Sequence, residues 1–232
     1  MHYDEKMEAM ERLAGCMAHD FNNILTSILG YSELILCTVA EDDPMREEIK
    51  EIREAGKRAA SLTQQLLIFS SKQELQREEL DLTTAITTME RKLKSLAGKK
   101  IMLSIETDPH VDTIIADRKQ IEQVIMNLVI NACDAMIDGG NLIIKIKNET
   151  IPPYSSEKFV CIMVEDNGIG MTDETIARIF EPFFSTYKKK NRSGLGLSTA
   201  YGIIKKHKGW INVQSKPDYG STFKVYLPVF PL

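Results

Sequence analysis

The 232-residue chain has only four cysteines and one tryptophan, and no Cys-x-x-Cys pair. Cys16, Cys37, Cys133 and Cys161 sit singly in apolar stretches, a pattern that predicts small core residues in a reducing compartment. The first residues, MHYDEKMEAMER, are charged throughout and lack the apolar core of a signal peptide. The most membrane-like stretch, 24–40, is interrupted by Thr26, Ser27, Ser32, Glu33 and Thr38. It falls short of the ~20 apolar residues that span a bilayer, so a soluble, cytoplasmic-type chain is expected. Charge of one sign is also missing. Lys plus Arg is 29, Asp plus Glu is 33 and the net charge is −4, without the field of a general nucleic-acid binder. No G-x-x-x-x-G-K-S/T occurs, which excludes a P-loop, and no Rossmann fingerprint follows a strand. What remains is ordinary globular composition, 43% hydrophobic and 27% charged, which excludes disorder and collagen-like structure. The length allows one large domain or two small ones.

Apolar positions then set the organisation. Leu13, Met17, Phe21, Ile24, Ile28, Tyr31 and Ile35 recur at gaps of three and four, one stripe of a helix. Asp43 can cap a new helix and Pro44 suits its first turn. A second stripe follows at Met45, Ile49, Ile52, Ala59, Leu62, Leu66 and Phe69. The spacing predicts a helical hairpin over roughly 4–40 and 44–76. Such a hairpin exposes more apolar surface than it can bury alone. The simplest closed solution is a homodimeric four-helix bundle; the alternative is packing on the chain's own C-terminal part. Beyond the polar stretch 70–79 the pattern is mixed. Helices are expected over 82–96, 117–137, 173–179 and 195–207, and strands over 100–106, 111–115, 141–148, 159–165, 210–215 and 221–227. The expected architecture is a helical hairpin domain, 1–76, followed by a two-layer α+β sandwich, 77–232.

Four clusters concentrate the chemistry. His19 lies on a polar helix face with Asn22 and Asn23, and Asp20 adjoins it. A neutral imidazole is a nucleophile near pH 7, and a neighbouring carboxylate can take its proton. Asn127 and Asn131, one helical turn apart, share a face, and an amide oxygen is a fitting ligand for Mg2+. Asp166, Gly168 and Gly170 end an apolar strand, where an Asp can accept from an exocyclic amine and glycines allow close backbone approach. Gly194, Leu195, Gly196 and Leu197 open a helix, whose N–H groups attract phosphate. Just before them runs Tyr187-Lys188-Lys189-Lys190-Asn191-Arg192, either a solvated loop or a mobile cover over phosphates. Other residues have plainer readings. His110 is expected to be solvated, His207 to gain from a helix C-terminal dipole, Trp210 to pack, and Phe183 and Phe184 to pack beneath the cover.

In order, these clusters resemble the core of a bacterial sensor histidine kinase, over nearly the whole chain. Residues 18–23, Ala-His-Asp-Phe-Asn-Asn, resemble a phosphoacceptor box; 127–132 an asparagine box; and 166–170 a first glycine box. Residues 179–184, Ile-Phe-Glu-Pro-Phe-Phe, resemble a phenylalanine box that includes Phe180, and 194–197 a second glycine box. The resemblance implies a dimerisation and phosphotransfer hairpin followed by an ATP-binding domain of the type shared with gyrase, MutL and heat-shock chaperone ATPases. It implies ATP and Mg2+ as cofactors, with Asn131 on the metal, Asn127 near the phosphates and Asp166 on the adenine amine. It makes 184–193 the ATP lid, His19 the phosphoacceptor, Asp20 its base and a receiver aspartate the next acceptor. It also implies that Asn23 positions a water for dephosphorylating that receiver. Two positions depart from the family pattern. Arg192 replaces the first glycine of Gly-Thr-Gly, and Tyr187 stands where a lysine is usual, with Lys188 one position later. These departures motivate the alternative of a dimeric pseudokinase scaffold that binds ATP and a receiver with little turnover. A clamp ATPase of the same superfamily would leave the His19 box unexplained.

Overall fold

The computed structural model describes residues 2–41, 43–70, 75–150, 158–186 and 194–229. The chain divides into two compact units, Met1–Gln73 and Glu74–Leu232.

The first unit is a helical hairpin of α1 (His2–Thr38) and α2 (Met45–Ser70). Asp43 accepts the Met45 N–H at 2.8 Å and so opens α2. Arg46 closes the preceding helix. Its Nη1 donates to the Leu36 and Val39 carbonyls at 3.0 and 2.9 Å, which otherwise lack intrahelical partners. Leu25, Ser32 and Leu36 of α1 are buried, as is Ile49 of α2. The predicted stripe of Phe21, Ile24, Ile28, Tyr31 and Ile35 is a different face and is exposed, Tyr31 to 69%. Within one chain, the hairpin closes on one face and leaves the longer apolar stripe uncovered.

The second unit contains β1 (Glu78–Leu80), α3 (Leu82–Ala97), β2 (Ile101–Thr107), β3 (Ile114–Ala116) and α4 (Arg118–Ala135). There follow β4 (Gly140–Thr150), β5 (Lys158–Asp166), α5 (Asp173–Ile176), α6 (Gly196–Lys206), β6 (Trp210–Lys216) and β7 (Gly220–Pro228). Five strands form a sheet in the order β2-β4-β5-β7-β6, with β2–β4 parallel and the other pairs antiparallel. Alternate residues Leu142, Ile144, Ile146, Val160, Ile162, Val164, Phe223 and Val225 are fully buried. The helices supply Ile86, Leu93, Ile121, Val124, Ile125, Leu128, Ile203 and Ile204 to that core. An α+β sandwich of two layers results.

Differences from the sequence expectation are local. β3 pairs with β1, a strand at the end of the polar stretch 70–79 that the sequence pattern did not mark. Only Leu80 of that three-residue strand is buried, too short a run to show alternation. α5 is a single turn capped by Thr172. The cysteines are not uniformly core residues. Cys161 is buried, its thiol pushed up to about 11 by burial, whereas Cys133 is half-buried and Cys37 exposed; the Cys16 side chain lies outside the described residues. No helix among the described residues is long and apolar enough to cross a membrane.

Asp81 caps α3, accepting from the Thr83 and Thr84 N–H groups and from Thr84 Oγ1. These bonds hold its carboxyl below the usual range. The Asp81→Ala variant should lose about 1 kcal/mol of unfolding free energy in urea titration at pH 7. Because the folded pKa is depressed, that difference is present above the unfolded pKa and disappears as the pH falls through the folded one. Equal stability of the two proteins at pH 7 would mean the cap contributes nothing.

Candidate nucleotide site

α4 carries the site because it touches both glycine-bearing segments. Near its middle, Asn127 accepts from Gln123 Nε2 and donates through Nδ2 to the Gly196 carbonyl, each at 2.9 Å. The asparagine cluster and the second glycine cluster, 69 residues apart in sequence, are thereby joined. At the C-terminal end of α4 the Ala135 carbonyl accepts the Ile169 N–H at 3.1 Å. A Cβ on Gly168 would lie 2.6 Å from that same oxygen, so only glycine fits the approach. Gly170 has φ +63 and a Cβ there would fall 2.0 Å from the Lys216 carbonyl oxygen. Helix, turn and sheet therefore meet at the C-terminal end of β5.

Asp166 is the last residue of β5 and only 4% exposed. Its Oδ1 accepts the Gly168 N–H at 2.9 Å. Among the described residues, Oδ2 is buried without a hydrogen-bond partner. Burial pushes the carboxyl above its usual range, while the nearby Gly168 and Ser221 amides pull it back. A buried acceptor left open costs roughly 1–3 kcal/mol, and a ligand amine would satisfy it.

α6 begins at Gly196, after Leu195, with no side-chain cap. The positive end of this helix is where anionic phosphates are best accommodated. Gly194 has φ +67 and its missing Cβ would meet the Phe183 backbone at 2.6 Å. Leu195 is buried and Leu197 half-buried. Phe180 packs on Tyr201 of α6, ring centroids 5.1 Å apart. Phe184 lies under the Arg178 guanidinium at 4.5 Å. Phe183, in contrast with the packing expected, is 62% exposed in the left-handed region, φ +64. Lys188, Tyr187 and Arg192 lie outside the described residues.

Asn131, one turn beyond Asn127, is half-buried and makes no side-chain hydrogen bond among the described residues. No group of three or more His, Cys, Asp or Glu suited to a metal occurs among the described residues. One amide oxygen fits Mg2+, which keeps several waters and binds mainly through substrate phosphates. In the hairpin, His19 lies in α1 with its side chain outside the described residues. Asp20 and Asn23 are exposed on the same helix.

Sequence reasoning overlooked two residues here and misread a third. Ser221 stands opposite Asp166 in the β5–β7 register, and Ser215 opposite Ser221 in β6–β7. Strand periodicity locates both but does not give the pairing. His207 was expected to profit as a cation from the helix dipole; it is instead buried and neutral. Its Nδ1 lies 2.8 Å from the Ile203 carbonyl and so carries the proton, and Nε2 accepts the Asp117 N–H at 3.0 Å. Burial lowers its pKa. His110 is exposed, and Trp210 packs between Phe159 and Tyr226, as expected.

The chain is similar to known proteins in sequence and in fold. A family model described as "Histidine kinase-, DNA gyrase B-, and HSP90-like ATPase" matches residues 116–231, and one described as "His Kinase A (phospho-acceptor) domain" matches 9–75. The sensor kinase CckA of Brucella abortus is 41% identical over 98% of this chain, which covers 25% of that protein. Sporulation kinase E of Bacillus subtilis is 30% identical over 97% of the chain, covering 29% of that protein. The signal transduction histidine-protein kinase AtoS of Escherichia coli is 34% identical over 98%, covering 36% of that protein. The chain thus spans between 25% and 36% of the length of these relatives. Full-length ShkA in complex with AMPPNP has the same fold, with a TM-score of 0.77 at 23% identity, covering 95% of this chain and 46% of that one. The catalytic domain of histidine kinase ThkA matches at TM-score 0.53 and 30% identity, covering 67% of this chain and 99% of that one.

Proposed function

The chain belongs to the sensor histidine kinase family, whose catalytic core it contains, and on that premise we propose that it uses Mg2+-ATP to phosphorylate its own His19. The observation that carries this reading is the buried, unpartnered Oδ2 of Asp166, an acceptor awaiting an amine at the mouth of the turn 167–170. Gly168 and Gly170 let the turn close against the Ala135 and Lys216 carbonyls, which fixes the end of β5 where Asp166 stands. Asn127 ties α4 to the start of α6 and keeps the phosphate-facing end of that helix in place. Asn131 would hold Mg2+, which supplies charge neutralisation between the phosphates.

His19 acts as the nucleophile. An unprotonated ring nitrogen forms the new N–P bond as the bond from the γ-phosphorus to its bridging oxygen breaks, and ADP departs with that electron pair. The proton on the other ring nitrogen passes to Asp20. Phosphoryl transfer of this kind needs positioning and charge neutralisation above all. The phosphoryl group then moves from His19 to an aspartate of a receiver protein, and Asn23 positions a water that dephosphorylates that receiver. Lys188 contributes a cation to the lid. Residues 1–76 form the dimerisation and phosphotransfer domain and 77–232 the ATP-binding domain.

A second copy of the chain covers the exposed stripe of Phe21, Ile24, Ile28, Tyr31 and Ile35, closing a four-helix bundle. In a symmetric pair each substitution counts twice. Ile28→Glu should therefore weaken dimerisation by about 3 kcal/mol, roughly 100-fold. In sedimentation the variant runs as monomer where the parent is dimer, with nucleotide binding retained. A dimer of unchanged strength would show that another face is used.

Incubation with γ-labelled ATP and Mg2+ tests the whole reading. Label should stay on the chain and move to an added receiver. Nucleotide binding with no label on the chain would reject phosphotransfer and leave a scaffold that only binds.

A further inference from the structure

Three side chains form one row across the end of the sheet. Asp166 of β5 faces Ser221 of β7, which faces Ser215 of β6, and directly opposed residues share a sheet face. Asp166 and Ser221 are buried and Ser215 half-buried. Ser215 Oγ donates to the Gly220 carbonyl at 2.8 Å, since a carbonyl has no proton to give. It accepts the Met171 N–H at 2.9 Å. A serine hydroxyl has a single proton, and that of Ser215 is committed to Gly220. At the 2.9 Å contact between Ser215 Oγ and Ser221 Oγ, Ser221 is therefore the donor. Its proton points toward β6, away from the Asp166 strand, and it enters the row with lone pairs only.

We propose that Ser215 is a positioning residue for base selection: by holding the Ser221 proton it keeps the row beside Asp166 acceptor-only. This rests on the nucleotide reading above and concerns which purine that site takes. Set against position 6 of the base, a row of acceptors matches an amino group, which has two hydrogens to give. A 6-oxo purine would bring a third acceptor against the carboxylate and the Ser221 oxygen, and buried acceptors facing each other stay unpaired. Ser215 also binds the turn at Met171 to the β6–β7 turn at Gly220, which fixes the distance across which the base is read. Without the Ser215 oxygen, the Ser221 hydroxyl is free to rotate and to donate to a carbonyl.

The test is equilibrium binding of non-hydrolysable ATP and GTP analogues with Mg2+ to the full chain, wild type against Ser215→Ala, Ser215→Cys and Ser215→Thr. Wild type should prefer the ATP analogue. Ser215→Ala should shrink the ratio of the two dissociation constants about ten-fold. Ser215→Thr, which restores the oxygen, should recover it, and Ser215→Cys, of similar volume with a weak acceptor, should fall between. In Ser215→Ala combined with Ser221→Ala no hydroxyl can turn toward a carbonyl, so the GTP analogue should gain nothing. A purely structural role would weaken both analogues alike and leave the ratio unchanged. An unchanged ratio in Ser215→Cys, or in Ser215→Ala where it folds, overturns the inference and leaves nucleotide binding standing. Failure of the wild-type chain to bind the ATP analogue overturns both.

Discussion

His19→Gln should abolish transfer of label from γ-labelled ATP to the chain while leaving the affinity for a non-hydrolysable ATP analogue within about two-fold of wild type. The split between the two readouts follows from the division of the chain into separate compact units. The proposed nucleophile lies in α1, whereas every residue assigned to the base and phosphates lies beyond residue 74. Glutamine keeps a polar side chain of comparable length on a helix position but has no basic nitrogen to attack phosphorus. Removal of the attacking atom eliminates the step and does not merely slow it, so label should fall to the background of the unreacted protein. A smaller fall, of about 100-fold or more, is expected for Asp20→Asn, because loss of a general base lowers a rate without removing the nucleophile. Label persisting on His19→Gln would move the acceptor to another residue. Loss of analogue binding in the same variant would mean the hairpin substitution damages the second unit.

Asp166→Asn should cost at least about 100-fold in affinity for the ATP analogue. The substitution turns this buried, open acceptor into an amide whose Nδ2 presents hydrogens to an amine, so a charge-assisted bond becomes a clash of donors. The loss of such a bond is worth about 1.5–3 kcal/mol, and the mismatch adds to it. Calorimetric titration reads this directly. The same carboxyl gives the wild-type chain a pH signature. Burial raises its pKa, so the carboxylate is lost on acidification earlier than an exposed aspartate would be. ATP-analogue affinity should fall as the pH drops through that raised value, and the fall should be absent from Asp166→Asn. The stability sign is opposite to that of Asp81. A raised carboxyl pKa means that ionisation opposes folding above the folded pKa and the penalty vanishes below the unfolded one. Tight binding of the analogue by Asp166→Asn at pH 7 would place the adenine elsewhere.

The elements with a full period were legible in the sequence. The helix 117–137 and the alternating runs at 141–148, 159–165 and 221–227 bury the predicted side chains, and the described part of the first stripe, Phe21 to Ile35, is exposed. The two-layer class follows from that succession. What the sequence could not supply is pairing. β1 has one buried residue, Leu80, and no period of three residues announces that it joins β3. The site shows the same division. Asp166, Gly168, Gly170 and Asn127 are recognisable by type and spacing, and the structure brings them together through Ala135 and Gly196. Ser215 and Ser221 are ordinary strand serines until the register sets them beside Asp166. His207 was misjudged for a related reason: sequence shows the helix end it follows but not Asp117, whose N–H it accepts. Phe183 likewise reads as an apolar residue to be buried, whereas the close approach of Gly194 to its backbone holds it outward.

The most direct measurement of the central claim is chemical identification of the labelled bond. Wild-type chain incubated with γ-labelled ATP and Mg2+ should carry a phosphoryl group that survives base and is lost in acid, located by peptide mapping at His19. An acid-stable label, or one mapped to any residue outside 18–23, would contradict the account.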